Sequence, residues 1–206
     1  MAKRKTSGRL FELRPVPMPD VISYQSNEIG KPFFIRLKAP KEAEKFLDDH
    51  KHYTKSNINV CYAAPRNSKS SRNWYETQLN IEKKVREQTG YPYKGVPFYV
   101  VTDDGYGFLA RTTSANNKQL AAVKNELILG RWIKGRLVSE GLVRPIDDTA
   151  ADIKRTGMIT EEMLAEYGCN AVVFQKTSQH ISDPDYPPDT YEVWTMKLIY
   201  MSDSDG

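Results

Sequence analysis

Apolar and polar positions form the clearest pattern near the middle of the chain, where two β-rich runs flank a turn. Residues 97–111 read Pro-Phe-Tyr-Val-Val-Thr-Asp-Asp-Gly-Tyr-Gly-Phe-Leu-Ala-Arg, with aromatic and β-branched residues on both sides of the turn. Asp104-Gly105 can adopt the positive φ of a tight connection. The pattern therefore predicts an antiparallel hairpin.

Five other segments have strand-like composition, and one of them, 74–81, alternates apolar with polar positions. They are residues 33–37, 58–62, 74–81, 171–174 and 190–198. Polar stretches at 63–73, 114–118 and 182–189 separate them. The chain should therefore contain six or seven short strands, which indicates a small barrel or half-open sheet.

Three segments read as helices. Residues 40–47 predict a short helix with Pro40 in its first turn, and residues 126–139 a longer one capped by Asn125. A third begins after Thr160 and ends at Gly168. Gly130 and Gly135 weaken the second helix, and close packing against a sheet would explain them. Four prolines in residues 1–32 favour an extended arm over a helix.

Length and composition limit the classes of protein that are possible. The 206 residues, 39% of them hydrophobic, suit one domain with an extension, and no apolar run is long enough to cross a bilayer. The basic start lacks the apolar stretch of a signal peptide, so we expect a cytoplasmic protein without membrane contact. Two cysteines and three histidines exclude a disulfide framework and a Cys-based zinc site. Cys61 and Cys169 read as small buried hydrophobes.

The charge is unevenly distributed. The first hundred residues contain 19 Lys and Arg and 10 Asp and Glu, a net charge of +9, whereas the remaining residues have a net charge of −5. Residues 51–94 hold nine basic groups, three acids and several aromatic rings. Such a stretch would attract a phosphate backbone, and the alternative is an ordinary solubilising surface.

Two polar loops are rich in side chains that recognise base edges. Arg pairs with guanine and Asn or Gln with adenine, while Lys, Ser and backbone amides hold phosphates. The residues we select for DNA binding are Arg66, Asn67, Lys69, Ser70, Arg72, Asn73 and Trp74 in the first loop, and Arg111, Ser114, Asn116, Asn117, Lys118 and Gln119 in the second. The alternative is that these loops are polar because they are solvated.

Motifs for catalysis are scarce. No histidine is followed by Lys two positions later, as a phospholipase-D-type nucleophile requires, and no phosphate-binding glycine loop stands between a strand and a helix. Asp147, Asp152 and Lys154 resemble part of a divalent-metal nuclease site, but they lie close together in a predicted loop. We therefore assign no catalytic residue, no metal ligand and no cofactor.

A series of sequence blocks resembles a known family, the C-terminal B3-like DNA-binding domain of restriction endonucleases whose N-terminal part is a phospholipase-D-like nuclease. The resemblance covers about residues 57–198. The blocks are Arg72-Asn73-Trp74-Tyr75-Glu76, Tyr91-Pro92, residues 98–105, Asn117-Lys118, residues 129–137, Ile159-Thr160, Tyr167-Gly168 and residues 191–194.

This resemblance implies a fold and a function. The fold would be mainly β within the α+β class, a seven-stranded B3-like DNA-binding pseudobarrel with two flanking helices, spanning residues 57–200. Residues 1–56 would form an N-terminal extension or arm, and residues 201–206 a disordered tail. The family's two arms, laid in the major groove of double-stranded DNA, would fall on residues 66–74 and 111–119.

The sequence leaves the activity of the whole system open. Because the chain lacks the nuclease motif of the family, we expect a target-recognition domain or subunit of a restriction-type defence system, partnered by a separate nuclease or helicase subunit. The alternatives are a metal-dependent nuclease using Asp147, Asp152 and Lys154, a protein-interaction barrel, and a reader of modified bases that stacks Trp74 or Tyr106 on an extruded base.

Overall fold

A single sheet organises the fold. The computed structural model describes residue 10 and residues 12–46, 55–64, 71–182 and 190–202. Its strands are β1 (Arg14–Pro15), β2 (Phe33–Arg36), β3 (Leu79–Asn80), β4 (Phe98–Thr102), β5 (Tyr106–Thr113), β6 (Gln119–Ala122), β7 (Ala171–Ser182) and β8 (Thr190–Ile199). The helices are α1 (Met18–Ser26), α2 (Lys83–Arg86), α3 (Ile128–Ser139) and α4 (Glu161–Tyr167).

Seven strands follow the order β2-β7-β8-β4-β5-β6-β3, and β1 adds to β5 outside this path. All pairs are antiparallel except β4 and β8, which run parallel, with Tyr99 opposite Val193. The sheet is barrel-like and nearly closed, which confirms the expected mainly β pseudobarrel. The predicted hairpin is also confirmed, because β4 and β5 pair with Val101 opposite Gly107.

Asn57 bridges the two edges of the sheet. Its Nδ2 donates to the carbonyl of Arg36 at the end of β2 (2.8 Å), and its carbonyl accepts from Gln78 N just before β3 (2.8 Å). Its Oδ1 accepts from Lys38 N at 2.7 Å. One buried residue, through its side chain on the β2 side and its backbone carbonyl on the β3 side, therefore joins the strands at the opposite ends of the sheet path.

Two apolar layers lie on opposite sides of the sheet. The larger fills the barrel interior and includes Trp132 and Ile133 of α3 and Leu164 of α4. The smaller lies outside, where Val21 of α1 packs against Tyr99, Val101 and residues near them. Because adjacent strand residues face opposite ways, Tyr99 and Val101 serve the outer layer while Phe98 and Val100 serve the interior.

Helix α1 corrects the expectation of an extended arm. Pro17 is the N-cap residue and Pro19 lies in the first turn, where a missing amide hydrogen costs no helical hydrogen bond. Val21 then anchors the helix in the outer layer. Prolines placed before and within the first turn are compatible with a helix, although four of them suggested the opposite.

Several other elements also differ from the prediction. Residues 58–62 form no strand but a 3₁₀ turn at Val60–Tyr62, and the segment beginning at Trp74 is extended only at β3. The predicted helix at 40–47 is a 3₁₀ turn at Glu42–Glu44, and residue 47 lies outside the described residues. Tertiary contacts override propensity at both turns, because the Asn59 side chain exchanges hydrogen bonds with the Ile159 backbone and the Glu42 amide donates to Glu162 Oε2 at 2.9 Å.

Helices α3 and α4 match the predicted segments closely. Thr160 caps α4 by accepting from Met163 N, and Gly168 ends it with a φ of 83°. Leu127 is the N-cap residue of α3, although Asn125 Oδ1 accepts from the Leu127 amide at 3.1 Å. Gly130 meets the backbone of Tyr75, as expected of a close packing contact, whereas a Cβ at Gly135 would have open space.

The predicted domain boundary at residue 57 stays a prediction. Strand β2 lies before it and pairs with β7 in the sheet. At the other end, Met201 is buried and exchanges two hydrogen bonds with the Asn170 side chain, at 2.7 and 2.9 Å. Residues 203–206 lie outside the described residues. None of the described helices has the length and apolar character that crossing a membrane requires.

Candidate nucleic-acid interface

The loop between β5 and β6 has an unusual backbone. Ser114, Asn116 and Asn117 have φ values of 69°, 55° and 58°, in the left-handed region that few side chains tolerate. Asn is the residue that accepts this region best after glycine, which explains the Asn-Asn pair. The same backbone leaves the side chains of Asn116 and Lys118 exposed.

Other residues of this loop are partly engaged within the protein. Ser114 Oγ donates to Gln119 Oε1 at 2.7 Å across the loop, and Asn117 Nδ2 donates to the carbonyl of Pro92 at 2.8 Å. Arg111 is exposed on β5. Of the six residues selected in this loop, Arg111, Asn116 and Lys118 therefore present the most accessible side chains.

The first predicted loop is described only at its ends. Arg66, Asn67, Lys69 and Ser70 lie outside the described residues. Arg72 joins the two ends, because its Nε donates to the carbonyl of Ala64 at 3.0 Å and its Nη1 to Glu76 Oε1 at 2.8 Å. These bonds engage Nε and Nη1 within the protein and fix the plane of the guanidinium group.

Asn73 and Trp74 follow Arg72 but have different roles. Asn73 is exposed, and its Oδ1 accepts from Tyr75 N at 2.9 Å, an Asx turn that shapes the end of the loop. Trp74 is a correction to the predicted interface: only 2% of its surface is exposed and its Nε1 donates to the carbonyl of Gly157 at 2.8 Å. It is a core residue and offers no face to a base.

The two loops flank one cleft. Arg72, Glu76 and Gln78 line it on one side and Gln119, Leu120 and Ala121 on the other, around a volume of about 390 Å³. The pairing of β3 with β6 causes this proximity, since Asn80 stands opposite Gln119 in the register. The described parts of the two loops thus lie on the same side of the molecule.

Basic side chains surround the second loop. Lys83 and Lys84 of α2, Lys94, Arg111 and Lys118 are exposed. Helix α2 lies near the loop because Ile81 N donates to the carbonyl of Lys118 at 2.6 Å. Glu82 and Glu87 accompany these cations, and Lys83 pairs with Glu87 at 3.6 Å. The surface is therefore mixed in charge, with an excess of cations.

Lys134 was missed by the sequence interpretation. It is fully buried in α3, and its Nζ donates to the carbonyls of Trp74 and Glu76, the latter at 3.4 Å, and lies 3.5 Å from Cys61 Sγ. Burial lowers its pKa, which the neighbouring Cys61 and Glu76 partly oppose. Lys134 thereby ties α3 to the segment that ends the first loop. The signal in the sequence was its helical spacing from Gly130 and Leu137.

The nuclease alternative receives no geometric support from its own residues. Asp152 is occupied by hydrogen bonds from Tyr62, Thr156 and Gly157, while Asp147 and Lys154 are exposed. No group of three or more metal-ligating side chains occurs within the described ranges.

In the alternative in which Tyr106 stacks on an extruded base, the ring that would stack lies far from the cleft. Tyr106 begins β5 and the second loop follows its end, so the strand separates them by about 23 Å at 3.3 Å per residue.

A nearly closed β sheet that carries two polar loops beside one cleft is consistent with a B3-like DNA-binding domain. The chain belongs to the family described as the NgoFVII C-terminal B3-like DNA-binding domain, whose profile matches residues 32–167. No curated protein matches the chain. The matched region contains both loops, and DNA is therefore a partner of this domain.

Proposed function

We propose that this domain recognises a specific sequence of double-stranded DNA by inserting both loops into the major groove. The observation that carries the proposal is the shared cleft, because Arg72 and Gln119 line it from the two loops. A groove about 12 Å wide can admit two such segments only when they project from the same side of a scaffold.

The proposed contacts with DNA are of two chemical kinds, to base edges and to phosphates. Arg72 and Asn116 would read base edges, since Arg forms a bidentate pair with guanine and Asn with adenine. Lys118 and the cations of α2, Lys83 and Lys84, would attract phosphates in a salt-dependent manner. Ser114 and Gln119 are bonded to each other and would contribute after exchanging that bond for a base or phosphate.

The biological setting that we propose is a restriction-type defence system in the cytoplasm. The domain would be its target-recognition part, and a separate nuclease or helicase subunit would act on the bound DNA. Support comes from the family to which the chain belongs, because that family is the C-terminal B3-like DNA-binding domain of a restriction endonuclease, NgoFVII.

The test begins with selection of bound duplexes from a random pool, which yields the recognised sequence. Arg72→Ala should then weaken binding to that duplex by about 1–3 kcal/mol and binding to random DNA little. Lys118→Ala should weaken both about equally and reduce the salt dependence by about one unit of slope. Titrations at several salt concentrations measure both effects.

Two controls separate recognition from folding, because Arg72 also pairs with Glu76. Arg72→Lys keeps the charge but loses the planar fork, so it should retain random binding and lose most of the preference. Thermal unfolding of each variant checks the fold. Equal loss of affinity for selected and random duplexes in Arg72→Ala would exclude a base-reading role, and the absence of any enriched duplex would exclude specific recognition.

A further inference from the structure

The second loop is held from outside by Arg86 and Tyr91, two residues that the proposed interface does not include. Arg86, the last residue of α2, donates from Nη1 to the carbonyl of Asn116 at 2.7 Å. Tyr91 donates from its hydroxyl to the carbonyl of Asn117 at 3.0 Å. Both acceptors belong to residues with left-handed backbone.

These bonds stabilise the part of the loop whose backbone conformation is unfavourable. A non-glycine residue in the left-handed region costs about 1 kcal/mol or more, and such a conformation persists only when the surroundings fix it. Here two consecutive carbonyls are fixed by side chains from a different part of the chain. A third bond, from Asn117 Nδ2 to the carbonyl of Pro92, joins the same two segments.

Tyr91 and Arg86 are built into the fold rather than free on the surface. The Tyr91 ring packs edge to face on Phe33, with centroids 5.6 Å apart. A tyrosine hydroxyl is already a protonated donor at neutral pH, and burial raises its pKa further. Arg86 is half-buried. Gly95 N donates to the carbonyl of Thr112 at 2.8 Å and completes the contact between the segments.

We propose that Arg86 and Tyr91 are positioning residues, which hold the turn Ser114–Lys118 in its DNA-binding conformation before DNA arrives. This inference rests on the proposed function, because it assigns the two residues a role in that same site without contact to DNA. A preordered loop avoids the entropy cost of ordering during binding.

The proposal predicts a particular kinetic effect. If the binding-competent loop becomes only a fraction of the population, the apparent affinity falls by that fraction. The loss then appears in the association rate, whereas loss of a direct contact with DNA appears mainly in the dissociation rate. Positioning and direct contact are therefore distinguishable.

The experiment compares Tyr91→Phe with the wild type on the selected duplex by stopped-flow kinetics. Removal of one hydroxyl should slow association about twofold to tenfold and leave dissociation unchanged. Hydrogen exchange at the amides of 116–118 should be faster in the free variant and return to the wild-type rate in the complex. Arg86→Met should behave in the same way, and Arg86→Lys should restore part of the association rate.

Tyr167→Phe is the matched control. It also removes one half-buried tyrosine hydroxyl, but that group bonds Arg136 on α3 at 2.6 Å instead of the loop. It should leave both rate constants unchanged. The inference is overturned if Tyr91→Phe binds like the wild type, if only its dissociation rate rises, or if Tyr167→Phe shows the same loss. Failure of the wild type to bind any selected duplex would instead overturn the proposed function.

Discussion

Asp152 shows how a single side chain can look catalytic in sequence and be structural in the fold. It accepts four hydrogen bonds, from the Tyr62 hydroxyl, the Thr156 amide and hydroxyl and the Gly157 amide, at 2.6 to 3.0 Å. Partial burial acts to raise its pKa, but the bonds from Gly157, Tyr62 and Thr156 outweigh burial and lower it. The ionised form is therefore favoured by folding.

This lowered pKa predicts a pH dependence of stability. The stabilisation is complete above the unfolded pKa of about 3.9 and is lost as the pH falls through the lower folded value, since the unfolded chain binds the proton first. Asp152→Asn should lower the free energy of unfolding at pH 7 by about 1–3 kcal/mol and flatten its fall below pH 5. Urea titrations from pH 3 to pH 7 measure this, with exposed Asp147→Asn as the control. An unchanged acid profile would contradict the assignment.

At the scale of single residues, the sequence indicated which side chains have the chemistry to bind DNA better than it indicated which of them are exposed. Arg72 and Trp74 stand two positions apart and were both selected, yet Arg72 lies at the cleft and Trp74 in the core. Alternation predicts burial only in regular strands, and this segment is a turn. The roles of Arg86 and Tyr91 depend on contacts with residues about 26 to 30 positions away, which no local pattern encodes.

At the scale of elements, helix α3 organises the base of the first loop. An added Cβ at Gly130 would overlap the carbonyl oxygen of Tyr75, so only glycine allows the loop end to approach the helix this closely. One turn later, Lys134 donates to the carbonyls of Trp74 and Glu76. The helix therefore contacts this backbone in two ways. Gly130 has no side chain and allows close approach, and Lys134, one turn later, reaches the same backbone with a long side chain.

The lysine contact gives a second prediction. Lys134→Met fills a similar volume but leaves two buried carbonyls without this donor, so it should lower the free energy of unfolding by about 1–3 kcal/mol. Lys84→Met, an exposed position on α2, should change it by less than about 0.5 kcal/mol. Denaturant titration of the two variants compares them. If Lys134→Met were as stable as the wild type, the free energy gained by removing a buried amine would equal the free energy lost with its hydrogen bonds.

Elements with caps and long periodic patterns were predicted well, and short ones were not. Helix α4 carries a Thr cap and a terminal glycine, and the β4–β5 hairpin has its Asp-Gly turn, so local chemistry specifies both. The turn at Val60–Tyr62 was predicted as a strand from its apolar residues. Its neighbour Asn59 exchanges bonds with the Ile159 backbone at 2.8 and 2.9 Å, a tertiary contact that overrides propensity.

At the scale of the whole molecule, Asn57 determines how the sheet is closed. Edge strands normally expose unpaired backbone groups, and here one side chain and its carbonyl join β2 and the start of β3. The cleft lies beside β3 and β6, so the closure supports the position of both loops. Stability and the proposed recognition therefore depend on the same junction.

Replacing this amide should weaken the closure. Asn57→Ala removes the bonds to Arg36 O and Lys38 N and should lower the free energy of unfolding by about 1–3 kcal/mol, because two partly buried backbone groups lose their partners. Hydrogen exchange at Lys38 and Gln78 should accelerate more than in the rest of the sheet. Asn80→Ala, an exposed position on β3, is the control. Protection that is unchanged at Lys38 and Gln78 would show that the edges hold without Asn57.

The parallel pairing of β4 with β8 has a consequence for how the protein is made. Strand β8 occupies an interior place in the sheet, between β7 and β4, although it comes last along the sequence among the described strands. While a ribosome is still producing residues 190–199, both loops have already been translated, but β4, the neighbour of the loop-bearing strand β5, still lacks its pairing with β8. The sheet that supports the surface proposed to meet DNA is therefore completed only after residues 190–199 have been synthesised.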